Sequence, residues 1–488
     1  MMASGAVACG VLAASPAMAQ PAAVVVAASA APDWSSVQQL PGLNALDVGK
    51  SADAEGLSCP AAGYCALGGS YTDGSRQTQA FVTGETDGTW GSAIEVPGTA
   101  ALNQGGAATV TSVSCAGPGD CAVGGRYAPG GTAAGGQGRA SEAFVASEWD
   151  GTWGDAVEVP GTARLNAGYS AGVSAVSCWS PGNCAAAGVY SPGADGRDAY
   201  TQAFVVTEED GVWGTARELP GLAALSTARQ ATVGALSCAP AAGSGGAGGR
   251  GYCAVGGQYG TSSGTQAYVA DLSGGTWQSA REYPGTAALN TGDGAAISSV
   301  SCPAAGGCGI AGSVMTTGPG GTESGAAFVA GQAGGTWSTP HIVRGAESGN
   351  VISCGSPGNC AAGGTGDPDG TSAAFVLTEE NGTWGAPQAV PGLARLDTGN
   401  DAGVEAVSCP SAGNCGAGGT YADTRAGTSD QAFVVTDTDG TWSAAWQALP
   451  GSGTDDAQAG LMSCVSPLTC TAAGFDDNGG DVFVVSTS

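Results

Sequence analysis

The chain has 488 residues, of which 41 are acidic and 13 basic, for a net charge of −28, and only 11% are charged at all. Such a surface repels nucleic acid and anionic lipid, and no apolar run reaches the roughly 18 to 20 residues of a spanning helix, so neither a nucleic-acid partner nor a membrane span is expected. The 88 glycines and short apolar runs broken by Gly, Pro, Asn and Asp have the texture of many short strands joined by turns.

In chain order, residues 1–19 read as an export signal. Residues 5–15 form a short apolar core, and Ala17-Met18-Ala19 is a small-residue cleavage site before Gln20, although no Lys or Arg precedes the core. Cys9 lies inside this segment, and the preceding Ala6-Val7-Ala8 lacks the Leu of a lipoprotein box, so no lipid anchor is expected. Residues 20–33 are an Ala-rich linker. From residue 34 to 488 a single repeat domain is expected.

Sixteen cysteines follow the signal in eight consecutive pairs: Cys59 with Cys65, Cys115 with Cys121, Cys178 with Cys184, Cys238 with Cys253, Cys302 with Cys308, Cys354 with Cys360, Cys409 with Cys415, and Cys464 with Cys470. An even count, paired locally behind an export signal, implies disulfides in an oxidising compartment. Zinc thiolates would need C-x-x-C pairs or histidines, and the chain has one His and no C-x-x-C. The fourth pair is widened by a Gly-rich insertion, Gly243–Gly251.

Around each pair the same four pieces recur. The first, such as Val173–Cys178, alternates apolar and small polar residues like a half-buried strand. The second, such as Cys121–Tyr127, is dominated by small residues and suits a strand pressed against neighbouring backbone. The third, such as Gln202–Glu208, is β-branched and aromatic. The fourth follows an Asp-Gly hairpin signal, as in Asp150-Gly151-Thr152-Trp153, and runs to Val159-Pro160-Gly161. Four antiparallel strands per repeat describe a propeller blade; a β-helix would have shorter repeats, and a helical array would show a 3.6-residue period. The last repeat lacks its Trp…Pro-Gly strand, and that piece stands at the other end of the domain as Trp34 and Leu40-Pro41-Gly42. One blade is therefore split between the ends, which closes a ring without open edges. The expectation is an all-β, eight-bladed β-propeller with blades at 51–98, 107–161, 168–221, 229–285, 293–345, 349–392, 400–451, and 457–488 completed by 34–42.

The boxes Val407-Ser408-Cys409-Pro410-Ser411-Ala412-Gly413-Asn414-Cys415, Ala432-Phe433-Val434 and Asn381-Gly382-Thr383-Trp384 resemble the repeats of secreted actinobacterial cysteine-paired proteins, over about residues 34–488. The resemblance implies the repeat and export but no activity. The Asp87-Gly88-Thr89-Trp90 turn is more distantly similar to the Asp-box of sialidase-type and photosystem-assembly-factor-type propellers. That box is a structural turn away from the catalytic centre, so it implies no sialidase.

Catalytic motifs are absent from the sequence. A Ser/His/Asp set needs a His beside the Ser, and His341 reads as an ordinary residue of a degenerate fourth strand. The arginines are isolated. Glu208-Glu209-Asp210 and Glu379-Glu380 read as solvated turn residues. Asp367-Pro368-Asp369-Gly370 and Asp476-Asp477 offer too few alternating oxygens for a calcium loop. No cofactor is expected.

One polar position is patterned: Asp47, Asn103, Asn166, Ser226, Asn290 and Asp397, just before strand one. In a propeller this connection lies on the same face as the loop between strands two and three, around the channel mouth. Asn/Asp-x-Gly is turn chemistry; a ring of such oxygens also suits a cation or sugar hydroxyls, and Asp47, Asn103, Asn166, Asn290 and Asp397 are the candidate ligand residues. The variable loops Ala128–Ser141 and Ser191–Thr201 fit specificity on a rigid scaffold. The functional expectation is an extracellular, monomeric binding scaffold for a glycan or protein. The alternatives are a secreted hydrolase or lyase with dispersed residues, and a structural surface protein.

Overall fold

The computed structural model describes residues 34–130, 140–168, 170–193, 200–241, 250–318, 320–366, 368, 374–425, 430–449, 456–476 and 481–487. The signal at 1–19, the linker at 20–33 and most of the Gly-rich insertion lie outside them.

The described chain forms eight antiparallel sheets, each ordered strand one, two, three, four. In blade one the strands are Asp53–Ala61, Tyr64–Thr72, Thr78–Thr86, and a fourth in two pieces, Thr89–Trp90 and Ile94–Glu95. Strand one of the following blades is Thr109–Gly117, Gly172–Ser180, Ala231–Pro240, Ala295–Ser301, Ala346–Ser356, Ala402–Ser411 and Ala457–Ser466. Each strand one packs against strand one of the next blade, and blade eight returns to blade one. The eight-bladed β-propeller expected from the repeat is the observed fold.

Blade eight is shared between the chain ends. Gln38 and Gln39 pair with Val484 and Phe483, and Trp34 bridges Thr487. Trp34 also stacks on Trp446 of blade seven at 6.4 Å.

All eight cysteine pairs are disulfide-bonded as expected, each between strands one and two of one blade. Cys59 is bonded to Cys65, Cys115 to Cys121, Cys178 to Cys184, and Cys238 to Cys253 across the widened loop. Cys302 is bonded to Cys308, Cys354 to Cys360, Cys409 to Cys415, and Cys464 to Cys470. The second cysteines Cys184, Cys253, Cys360 and Cys470 are buried, at 0–4% exposure, so these bridges add apolar bulk to a strand otherwise made of small residues. The serine before each first cysteine does a second job. Its Oγ accepts the N–H of the first cysteine of the next blade: Ser58 from Cys115, Ser114 from Cys178, Ser177 from Cys238 and Ser237 from Cys302, all at 2.9–3.0 Å. Ser301, Ser353 and Ser408 continue to Cys354, Cys409 and Cys464, and Ser463 closes the circle on Cys59 at 3.0 Å.

The glycine-rich second strand has a steric cause. Strand one carries a β-bulge in every blade, as between Ala54 and Gly56 or Val110 and Ser112, and the bulged strand leans onto strand two. A Cβ on Gly69 would sit 1.9 Å from the Asp53 carbonyl oxygen, and one on Gly474 1.7 Å from that of Gln458. The Asp-Gly signal is realised too: Asp87 and Gly88 have φ of 49° and 76°, the paired positive values of a type I′ hairpin.

Two features go beyond the sequence expectation. Strand four is broken where a backbone N–H turns to the preceding blade, as when Ala156 donates to the Pro97 carbonyl at 2.7 Å. The connection into strand one contains a single helical turn, such as Thr99–Leu102, entered through a left-handed glycine, Gly98, at φ 81°.

The apolar core is eight cores, one between each pair of neighbouring blades. The aromatic residue of strand three fills each, as Phe81, Phe144, Phe204, Tyr268, Phe328, Phe375, Phe433 and Phe483, all essentially without solvent exposure.

Candidate functional site

The patterned polar position ends the one-turn helix, and its side chain faces the chain itself. Asn103 donates to the Thr78 carbonyl (3.0 Å) and to Gln79 Oε1 (2.8 Å), and accepts from Ala107 N–H at 2.8 Å. Asn166 bonds the Ser141 carbonyl and the Ser170 and Ser191 N–H groups in the same way. Asp47 accepts from Ser51, Ala52 and Thr72, Asn290 ties Thr265 to Gly294, Ser226 donates to the Gln230 carbonyl, and Asp397 accepts from Asp401. All six are buried, 2–9% exposed. The structure therefore brings them to equivalent positions, where Asp47, Asn103, Asn166 and Asn290 fasten the connection between strands two and three to the start of strand one, while Ser226 and Asp397 close the turn into strand one on Gln230 and Asp401.

Strand one is the innermost strand of each blade, packed on strand one of both neighbours, and its bulge sets one residue outside the ladder. A bulge re-aims the extra residue out of the sheet alternation. In most blades that residue is small or neutral: Thr111, Ser174, Gly234, Ser298 and Asn350. Three of these bond the next blade's backbone, Thr111 to Val173, Ser298 to Gly349 and Asn350 to Val404. In blades one and seven the residue is a glutamate, Glu55 and Glu405.

Between the two glutamates lies blade eight. Its Gln458 Nε2 donates to Glu405 Oε2, Thr420 donates to Glu405 Oε1 at 3.3 Å, and Thr109 of blade two donates to Glu55 Oε1 at 2.8 Å. Burial pushes the Glu405 carboxyl above its usual range, against the hydrogen bonds from Gln458 and Thr420. Asp53, Glu55, Gln458 and Phe475 share a cavity of about 270 Å³ here. This sector concentrates carboxylate and amide oxygens. The sequence signal for it was a lone Glu in a box of small residues, visible only once the bulge position is known.

A second row of carboxyl groups runs along the outer part of the blades. The residue of strand three paired with the strand-four Trp is Glu85, Glu148, Glu208, Glu379 or Asp437 in five blades, Leu272 in blade four and Gln332 in blade five. Glu208 and Glu379 were expected as solvated turn residues; they are instead 0% and 5% exposed. They belong to the strand rather than to its turn, and they face the preceding blade. Glu209 and Glu380 are the exposed last residues of strand three, and Asp210 is an exposed turn residue. His341 is in strand four and exposed. Among the described residues no cluster of His, Cys, Asp or Glu could hold a metal ion. Asp367, Asp369, Gly370 and Asp477 lie outside the described residues.

No known protein family and no curated protein matches the sequence of this chain. Solved structures do. The structure of the Dos1 propeller is similar over 94% of this chain and 96% of its own, with a TM-score of 0.53 and 13% identity. YCF48 from Cyanidioschyzon merolae covers 92% of this chain and 98% of its own, at a TM-score of 0.41 and 11% identity. Chaetomium thermophilum Sqt1 bound to the N-terminus of ribosomal protein L10 covers 76% and 85%, at 0.41 and 13%. At these identities the likeness to the Dos1 propeller establishes a shared fold and nothing about the ligand.

Proposed function

We propose that the protein is an exported binding scaffold that takes a cationic group of an extracellular protein or glycan at the channel mouth, between blades seven and one. Eight disulfides fit an oxidising compartment, and the −28 net charge draws cations toward the surface. The observation that carries the reading is the placement of Glu55 and Glu405. The bulge occurs in every blade and is built equally well by Gly234 or Ser174. The fold has no need of a carboxylate there, and half-burying one costs solvation. Glu55 lines the cavity with Asp53 and Gln458, and Glu405 holds the Gln458 amide from the other side.

In this reading Asp47, Asn103, Asn166, Asn290 and Asp397 serve binding indirectly, by holding the loops that frame the mouth. The test is an array of lysine- and arginine-rich peptides and amino-sugar oligomers, probed with the mature protein and with a Glu55→Gln/Glu405→Gln double variant. The expected result is cationic ligands retained by the wild type and released by the variant, with the melting temperature kept or raised. A variant that binds as the wild type does would sink the assignment.

A further inference from the structure

The outer row of carboxyl groups holds a second site. At a junction where this residue is a carboxylate, it faces the side chain of one position in the preceding blade, a position that is glycine in blades one and five, Gly84 and Gly331. Between blades two and three that side chain is Ser147: it donates to Glu208 Oε1 at 2.6 Å and accepts from Trp213 Nε1 at 3.1 Å. The hydroxyl plugs the junction and gives both neighbours a partner.

Between blades five and six the same position is Gly331, and nothing replaces the hydroxyl. Glu379 is 5% exposed; like Glu208 it keeps Oε2 closed off from solvent, and its Oε1 lies 3.7 Å from where a Cβ on Gly331 would stand. Trp384, like its counterpart Trp213, is partly covered. The result is a cleft of about 760 Å³, the most spacious of the four described cavities, and within the size range of small-ligand sites. Its wall carries Val329, Trp384 and Pro357, and its rim carries Asn381, Ser338 and His341. The glycine-rich disulfide loops contribute Gly306, Gly307 and Gly358, which keep the opening low.

We infer that this cleft binds a neutral sugar residue. A sugar ring offers an apolar C–H face, which suits the indole and proline wall, and O–H donors at its edge. One such donor reaches Glu379 Oε1, the oxygen beside Gly331, in the way Ser147 serves Glu208 Oε1. Asn381 and Ser338 supply both donors and acceptors for the remaining hydroxyls. A cationic ligand is the poorer match: burial favours the neutral form of Glu379, and this cleft has one carboxyl group where the mouth has two glutamates and an aspartate. The site is separate from the channel mouth and does not depend on it.

The test uses a substitution that the ring itself suggests. A Cβ on Gly331 would meet only Glu379 Oε1 at 3.7 Å and the Cys308 carbonyl oxygen at 3.9 Å, both ordinary contacts. Gly331→Ser therefore fits and restores the Ser147 arrangement. The mature protein is titrated with neutral tri- and tetrasaccharides built from glucose, xylose, mannose and N-acetylglucosamine, read by tryptophan fluorescence and calorimetry. At least one series should bind, with Gly331→Ser weakening it tenfold or more while melting at or above the wild-type temperature. Glu379→Gln should weaken it several-fold, and Glu55→Gln/Glu405→Gln should leave it unchanged. The inference is overturned if no neutral series binds, if Gly331→Ser binds as the wild type does, or if only the mouth variant abolishes binding.

Discussion

Replacing Asp437 by Asn should make the protein more stable at alkaline pH and leave it unchanged in acid. Asp437 has no solvent exposure, and no side chain donates to either of its carboxylate oxygens. Burial first, then the nearby Asp439 and Glu380, push its pKa from 3.8 up to about 7. The folded chain thus holds this proton more tightly than the unfolded chain. Below about pH 4 the group is protonated in both states and contributes nothing to the pH dependence. Between about pH 4 and 7 stability falls as pH rises, and above about 7 the loss is complete. A rise of this size corresponds to about 4 kcal/mol at most. With about 450 residues unfolding at about 2.1 cal/mol/K each, the unfolding entropy is about 1 kcal/mol/K, so 4 kcal/mol appears as about 4 °C. Thermal melts of wild type and Asp437→Asn at pH 4 and pH 8, disulfides intact, give the comparison. The other buried carboxyl groups titrate in both proteins and cancel in the difference. A difference in melting temperature that is the same at both pH values would refute the argument.

Two further outcomes follow from the fold. Deleting residues 34–39 removes the pairing of Gln38 and Gln39 with Val484 and Phe483 and the stacking of Trp34 on Trp446; differential scanning calorimetry should show a much larger loss than deletion of 20–33, and equal losses would mean the ring is not held closed by this strand. Asn103→Ala strands the Ala107 N–H and removes one of two donors to the Thr78 carbonyl, which keeps the Ala108 N–H; this should cost about 2 kcal/mol in denaturant unfolding while cationic ligands still bind at the mouth, and lost binding at unchanged stability would instead put Asn103 against the ligand.

The ring, its blade count and its disulfides are legible in the sequence because each is written several times over. Asp-Gly before Trp marks a type I′ turn wherever it falls, and the missing strand after Val485 is found before Leu40 without any coordinates. Side-chain direction is less legible. Asn103 and Asn166 stand where a mouth ring was expected, yet the helical turn before them aims their amides at the chain, and that turn is too short to leave a periodic signal. The strand-one glutamates depend on a bulge, which moves one residue out of the two-residue alternation. The cleft at Gly331 is a side chain that is missing, and it acquires meaning only beside Ser147 in the equivalent junction.

The hydrogen bonds from each first cysteine to the serine of the blade before it run in one direction around the ring. Every blade offers one acceptor forward and one donor backward, so the joints are head-to-tail contacts of a single kind, the covalently linked equivalent of a cyclic oligomer. Such a joint sets no number. A seventh or ninth blade would find the same partner, and what stops the count at eight is the wedge angle fixed by the side chains packed between neighbouring sheets. Gain or loss of a whole repeat would therefore leave every joint intact and change only the bore of the channel. Adding a blade would widen the mouth without redesign of any contact inside one.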